Sequence, residues 1–166
     1  MKISLITVCY NSGATLETTI KSVIEQTYKN IEYIVIDGNS TDKTKDIIQS
    51  NIDLIDIYIS EDDDGVYDAM NKGIKLATGD VIGFLNSDDF FKSSLVLSKI
   101  NEIFEVKKAD ISYGNMHYVL RDNIKNIRRL WISGEYKKII SKMAGFLVIQ
   151  LFMRKEIYMK NMVVSI

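Results

Sequence analysis

Hydrophobic positions follow two alternating rhythms over the first two-thirds of the chain. Short β-branched or apolar runs occupy residues 3–10, 31–37, 55–59, 81–85 and 111–113. Between them, apolar residues return every three or four positions, as on the buried stripe of a helix. The first such stretch, 14–26, carries Leu16, Ile20, Val23 and Ile24; the second, running to about residue 50, carries Ile47 and Ile48 and can be capped by Thr41 or Asp42. The third, 67–77, turns Met70 and Ile74 inward, and the fourth covers 95–106. Strand and helix in strict alternation predict βαβ units and a mainly parallel α/β sheet flanked by helices. Past Gly114 the rhythm weakens. Residues 116–120 and 127–132 suit a small antiparallel hairpin around 121–123, followed by a short helix over 135–143, a strand over 146–153 and a terminal helix over 154–160. The expected organisation is one domain, with a core over 1–115 and a smaller part over 116–166.

The ends of the apolar runs are where the chemistry collects. The run from Val81 stops abruptly on Asn86-Ser87-Asp88-Asp89. A continuous apolar run of this length suits a strand buried on both faces. Asp88 and Asp89 then stand at its carboxyl end, where open α/β sheets receive ligands. Oxygen donors on a fixed backbone suit a divalent cation that holds a diphosphate. The alternative is a turn and cap before a helix at 90–103. The other runs end in Tyr10-Asn11-Ser12-Gly13, in Asp37-Gly38-Asn39-Ser40-Thr41-Asp42 and in the acidic stretch 61–65. Any one of these tips reads more simply as a cap, a turn or a solvated loop. Four on one edge of a parallel sheet point to a site. Within it Asp37 could accept hydrogen bonds from a base or ribose, and Asn71 or Lys72 could reach a sugar or phosphate. A solvated helix-end cation is the plainer reading of Lys72.

Composition narrows the classes. With 21 basic and 22 acidic residues among 166, the net charge of −1 gives no basic face for nucleic acid. Cys9, the single cysteine, excludes an internal disulfide framework, fits a reducing compartment and reads as an inert buried thiol. The N-terminus opens into a strand rather than a signal peptide. The longest apolar stretch, 143–153, is too short to span a bilayer. These features lead to an expected cytoplasmic location that is compatible with peripheral contact at the inner face of a membrane.

Four segments together resemble family 2 glycosyltransferases: Thr7-Val8-Cys9-Tyr10-Asn11; Val35-Ile36-Asp37-Gly38-Asn39-Ser40-Thr41-Asp42; Asp64-Gly65-Val66-Tyr67-Asp68-Ala69-Met70-Asn71-Lys72-Gly73; and residues 77–89. The resemblance covers roughly residues 1–115 in order and spacing. It implies a GT-A-type, Rossmann-like fold and a metal-dependent, inverting transfer of sugar from a nucleotide-diphospho-sugar to a glycan or lipid-linked acceptor. The first part becomes the nucleotide-sugar core and the second a partial acceptor-side region. Thr7, Tyr10, Asn11 and Asp37 are implied to line the nucleotide pocket. Asp68, Asn71, Lys72, Asn86 and Ser87 would fall near the donor sugar and diphosphate. Asp88 would ligate Mg²⁺ or Mn²⁺, with Asn86 in place of the first aspartate of the family's Asp-x-Asp motif.

Departures begin past Gly114. Asn115 stands where relatives carry aspartate, Ile149-Gln150 where they carry His-Gln, and the chain holds no proline. Relatives usually continue well beyond this length, so the ending at 161–166 looks shortened. The general base is not assigned. Glu135 is a candidate, with a surface helix position as its plainer reading, and His117 reads as structural. Two other classes compete: a nucleotide-sugar-binding module without a complete acceptor site, and a nucleotidyltransferase. The second would need a basic, glycine-rich phosphate loop, which Asn11-Ser12-Gly13-Ala14 does not supply.

Overall fold

A computed structural model describes residues 1–120, 123–133 and 151–156. Eight strands and four α-helices follow in the order β1 (Ile3–Cys9), α1 (Leu16–Ile24), β2 (Ile31–Asp37), α2 (Thr44–Ser50), a 3₁₀ turn (Ile52–Leu54), β3 (Ile57–Ser60), α3 (Val66–Leu76), β4 (Val81–Phe84), α4 (Val96–Glu105), β5 (Ile111–Tyr113), β6 (Met116–Leu120), β7 (Asn123–Trp131) and β8 (Leu151–Arg154). The main sheet has the order β3-β2-β1-β4-β8-β5. β1 pairs in parallel with both β2 and β4, and β2 with β3. β8 runs antiparallel between β4 and β5.

Strand periodicity decides which helix covers which face. Ile3, Leu5 and Cys9 of β1 point with Tyr33 and Val35 of β2 into a cluster closed by Leu16, Ile20, Ile48, Leu97, Ile100 and Phe104 from α1, α2 and α4. Ile6, Val8, Ile34 and Ile36 point the other way, onto Ala69 and Ile74 of α3. Both faces are therefore dry, which explains the near-continuous apolar runs of β1 and β2. The strand order reverses between β1 and β4, and the crevice beyond their carboxyl ends is the switch point of the sheet.

The amino edge of the sheet is held by a buried carboxylate. Glu32 is 6% exposed. It accepts hydrogen bonds from Lys2 Nζ at 2.6 Å, Ser4 Oγ at 2.5 Å, Thr78 N at 2.7 Å and Thr78 Oγ1 at 2.5 Å. Burial alone would raise its pKa. The donors, led by Lys2, outweigh burial and hold it at about 2.

β8 enters through a gap left by glycine. Phe152, 2% exposed, faces Gly83, where a Cβ would lie 2.2 Å from its ring. Arg154 then anchors the strand, donating to the carbonyls of Phe104 and Ala109 at 3.0 Å each. Gly83→Ala is expected to cost about 1–3 kcal/mol, because neither the sheet nor the buried ring can yield cheaply. Chemical denaturation reads the loss, and an unchanged midpoint would show that the ring moves freely.

β6 and β7 form a separate two-stranded sheet with a bulged register. Arg129 stacks over Tyr118 and Trp131 in it, at 5.8 and 5.4 Å from the ring centres. The helix expected at 135–143, most of the strand at 146–153 and most of the helix at 154–160 lie outside the described residues. Among the described residues, no helix is long and apolar enough to cross a membrane.

Candidate functional site

All four polar tips stand at the carboxyl edge of the parallel strands, and hydrogen bonds knit them into one rim. Asn11, at φ +48°, donates its amide to Ser40 Oγ at 2.8 Å and accepts from Thr41 N at 2.9 Å. Ser12 N donates to Thr44 Oγ1 at 2.7 Å, and Gly13 N to Asp42 Oδ2 at 2.9 Å. Thr44 also donates to Asp42 Oδ1, and these donors, hydroxyl first and amide second, lower the pKa of Asp42. Across the switch point, the hydroxyls of Ser12 and Ser87 meet at 2.8 Å. The loop after β1 and the acidic tip after β4 are thus joined directly.

The acidic tip is a turn closed by Asp89 N on Asn86 O at 3.0 Å. It caps no helix, since α4 begins only at Val96. The turn reading and the site reading of these residues are compatible: the turn holds Asp88 exposed at its apex, while Asp89 packs inward. Burial first, and the charge of Asp88 second, raise the pKa of Asp89.

Tyr10 is 65% exposed at the rim. Beside it Gly38 makes a gap: a Cβ there would sit 2.5 Å from Asp63 Oδ2 and 3.5 Å from Tyr10 Cδ2. The Tyr10 ring and the Asp63 carboxylate thus converge on the backbone of Gly38. Asp63 was hidden in the sequence within a run that reads as a solvated acidic loop. Its approach to Gly38, just past β2, follows only from the pairing of β2 with β3.

Thr7 and Asp37, which the family resemblance implies to line the nucleotide pocket, both lie below the surface. Thr7 is fully buried and accepts a hydrogen bond from the Tyr33 hydroxyl at 3.1 Å. Asp37 is fully buried too. Its oxygens accept from the Ser40 hydroxyl, from Ser40 N at 3.2 and 3.3 Å and from Ser60 Oγ at 2.7 Å. A carboxylate with its acceptor sites filled below the surface shapes the 38–40 loop from behind. Cys9, at 3.8 Å, shares this layer; burial first and Asp37 second push its thiol pKa far up, which leaves it inert.

Asp68, Asn71 and Lys72 lie on α3, whose first turn begins at this edge. Lys72 Nζ donates to Asp62 O at 2.7 Å and pairs with Glu61 at 3.0 Å and Asp68 at 3.2 Å. It latches the 61–65 loop onto the helix, and Glu61 foremost raises its pKa. Asp64 N, then Lys72, lower that of Asp68. Glu135 and the Ile149-Gln150 pair lie outside the described residues. His117 lies on β6.

The sequence reading missed Thr19, Ser22 and Gln26, three buried polar residues on and just past α1. They bind the irregular stretch between β4 and α4. Their i, i+3, i+7 spacing beside Leu16, Ile20 and Val23 was the available signal.

The sequence model described as "Glycosyl transferase family 2" matches residues 4–158. The chain belongs to that family. Among curated relatives, the Escherichia coli UDP-Glc:alpha-D-GlcNAc-diphosphoundecaprenol beta-1,3-glucosyltransferase WfaP is 38% identical over 121 residues, covering 72% of this chain and 47% of that protein. A PGL/p-HBAD biosynthesis glycosyltransferase of Mycobacterium bovis is 36% identical over 117 residues, covering 68% of this chain and 46% of its own length. The chain thus spans about half the length of these two curated relatives. Among solved structures, S. aureus TarS in complex with UDP-GlcNAc superposes with a TM-score of 0.76 at 18% identity, over 98% of this chain and 48% of that one. That likeness establishes the GT-A fold of the family 2 domain.

Proposed function

We propose that this family 2 domain binds a nucleoside-diphospho-sugar across the switch point and transfers its sugar, with inversion, to a glycan or lipid-linked acceptor. The observation that carries the reading is the Ser12–Ser87 contact, which sets the loop after β1 edge to edge with the acidic tip after β4. A ligand with a base at one end and a diphosphate at the other fits that span. The base would lie against exposed Tyr10 beside Asp63, where the ring offers a stacking face and the carboxylate accepts a base N–H. Tyr10 and Asn11 thus remain the nucleotide side of the site, with Thr7 and Asp37 supporting it from below. Asp68, Asn71, Lys72, Asn86 and Ser87 frame the sugar and diphosphate side.

The donor set fits Mg²⁺ or Mn²⁺. Asp88 is an exposed carboxylate flanked by the oxygens of Asn86 and Ser87, all hard donors. Among the described residues, no group of three or more His, Cys, Asp or Glu could hold an ion unaided. When bound, such an ion supplies charge stabilisation for the leaving diphosphate. The chain's own residues orient the donor so that an acceptor hydroxyl can attack the anomeric carbon from the face opposite the diphosphate. The bond to the leaving oxygen breaks as the new one forms, and a carboxylate takes the hydroxyl proton.

Titration of UDP and a panel of nucleoside-diphospho-sugars with MnCl₂ tests the reading, followed by assay of slow donor hydrolysis. Tight, Mn²⁺-dependent binding is expected. Binding without any turnover would leave a donor-binding module instead. Gly38→Ala is expected to weaken UDP about tenfold with little loss of stability, since the added methyl displaces the end of a flexible side chain, Asp63. Unchanged affinity in a folded Gly38→Ala variant would put the base elsewhere.

A further inference from the structure

We infer that Thr19 is a positioning residue: its hydroxyl fixes the turn that presents Asp88 to the cleft, and so governs how well a divalent cation is held there. The inference rests on the reading of Asp88 as the cation's protein ligand. Thr19 is 1% exposed, in the middle of α1. Its Oγ1 donates to the carbonyls of Ser87 at 3.0 Å and Asp89 at 2.7 Å, the two residues that flank Asp88 in the chain. One hydroxyl proton shared between these two carbonyls defines the course of the backbone through Asp88.

The next two polar residues along α1 serve the segment further on. Ser22 Oγ accepts from Phe91 N at 3.1 Å, and Gln26 donates to Ser93 O at 2.8 Å and accepts from Leu97 N at 3.1 Å. These bonds fasten residues 91–97. Of the three, Thr19 alone reaches the turn that carries Asp88. From the opposite side that turn is met by Ser12 through Ser87. Removing the Thr19 hydroxyl without changing its volume leaves two half-buried carbonyls short of a donor. The backbone around Asp88 then relaxes towards solvent, where water can satisfy those carbonyls. A carboxylate displaced in that way would share a cation with a diphosphate less well, whereas Tyr10 and Asp63 would be untouched.

The test is calorimetric titration of the folded chain with UDP, with and without MnCl₂, for the wild type, Thr19→Val, Thr19→Ser and Asp88→Ala. Thr19→Val is expected to lose at least fivefold of the Mn²⁺-dependent tightening, with the metal-free Kd within twofold of the wild type. Thr19→Ser, which restores the hydroxyl, is expected to recover the tightening to within twofold. Full tightening in Thr19→Val overturns the inference, as does an equal loss with and without metal, which would mark a general effect on the fold. If Thr19→Val does not fold, Thr19→Ala, which leaves room in place of the hydroxyl, bears the same comparison. Absence of Mn²⁺-dependent tightening in the wild type, or its survival in Asp88→Ala, would instead overturn the reading of Asp88 itself. The two failures are therefore told apart by the wild-type and Asp88→Ala titrations.

Discussion

Asp88→Ala is expected to remove the Mn²⁺-dependent part of UDP binding and to lower sugar transfer by roughly 100-fold or more, the scale of losing a main electrostatic stabiliser of a transition state. The fold should scarcely register the change. Asp88 projects from the apex of a turn whose closing bond, Asp89 N to Asn86 O, is made by backbone alone. Its side chain is exposed and carries none of the core. The melting temperature should stay within a few degrees of the wild type while metal-free UDP affinity is preserved. Calorimetry with and without MnCl₂, a melting curve and a transfer assay measure these four quantities. Equal metal-dependent affinity in variant and wild type would remove the cation from this edge of the sheet.

The second large effect lies at the opposite edge. Glu32→Ala is expected to destabilise the fold by about 3–5 kcal/mol, because Lys2, Ser4 and Thr78 would lose their shared buried acceptor. Glu32→Gln separates charge from shape. The carboxyl moves from an ordinary 4.5 to about 2 on folding, a shift that linkage converts to about 3 kcal/mol of native stability. The folded pKa is the lower one, so that stability is fully present above about pH 5. It is lost as pH falls towards 2, where the unfolded chain takes up a proton that the native chain refuses. Wild type and Glu32→Gln should therefore differ most at neutral pH and converge near pH 2. Urea unfolding across that range checks the expectation. A gap that stays constant with pH would mean that the carboxylate's charge contributes nothing.

The edge that carries the proposed site was legible because apolar runs in a parallel sheet end abruptly, and the residues beyond each end are polar. The breaks after Cys9, Asp37, Ser60 and Leu85 mark the rim without any tertiary information. Depth was not legible. β1 and β2 are buried on both faces, so the alternation that separates inside from outside on a half-exposed sheet is missing. The burial of Thr7 and Asp37, which the family resemblance sets in the nucleotide pocket, was not legible for that reason. The hydroxyls and amide of Thr19, Ser22 and Gln26 were hidden by the converse ambiguity: a polar residue on an amphipathic helix is ordinarily turned to water. Only the packing of α1 against the segment after β4 shows them facing inward. Asp63 required the pairing of β2 with β3, a long-range fact that no local pattern carries.

The insertion of β8 between β4 and β5 has a consequence for biogenesis. During synthesis β1 to β4 can assemble as soon as they emerge, but β5 has no place in the sheet until residues 151–154 arrive, because β8 is its partner there. Meanwhile the nascent chain carries β4 as an open margin able to recruit foreign strands. In the finished sheet β8 covers that margin, with Phe152 over Gly83. Fragments ending before Leu151 should accordingly aggregate, even though they hold every residue of the proposed donor site.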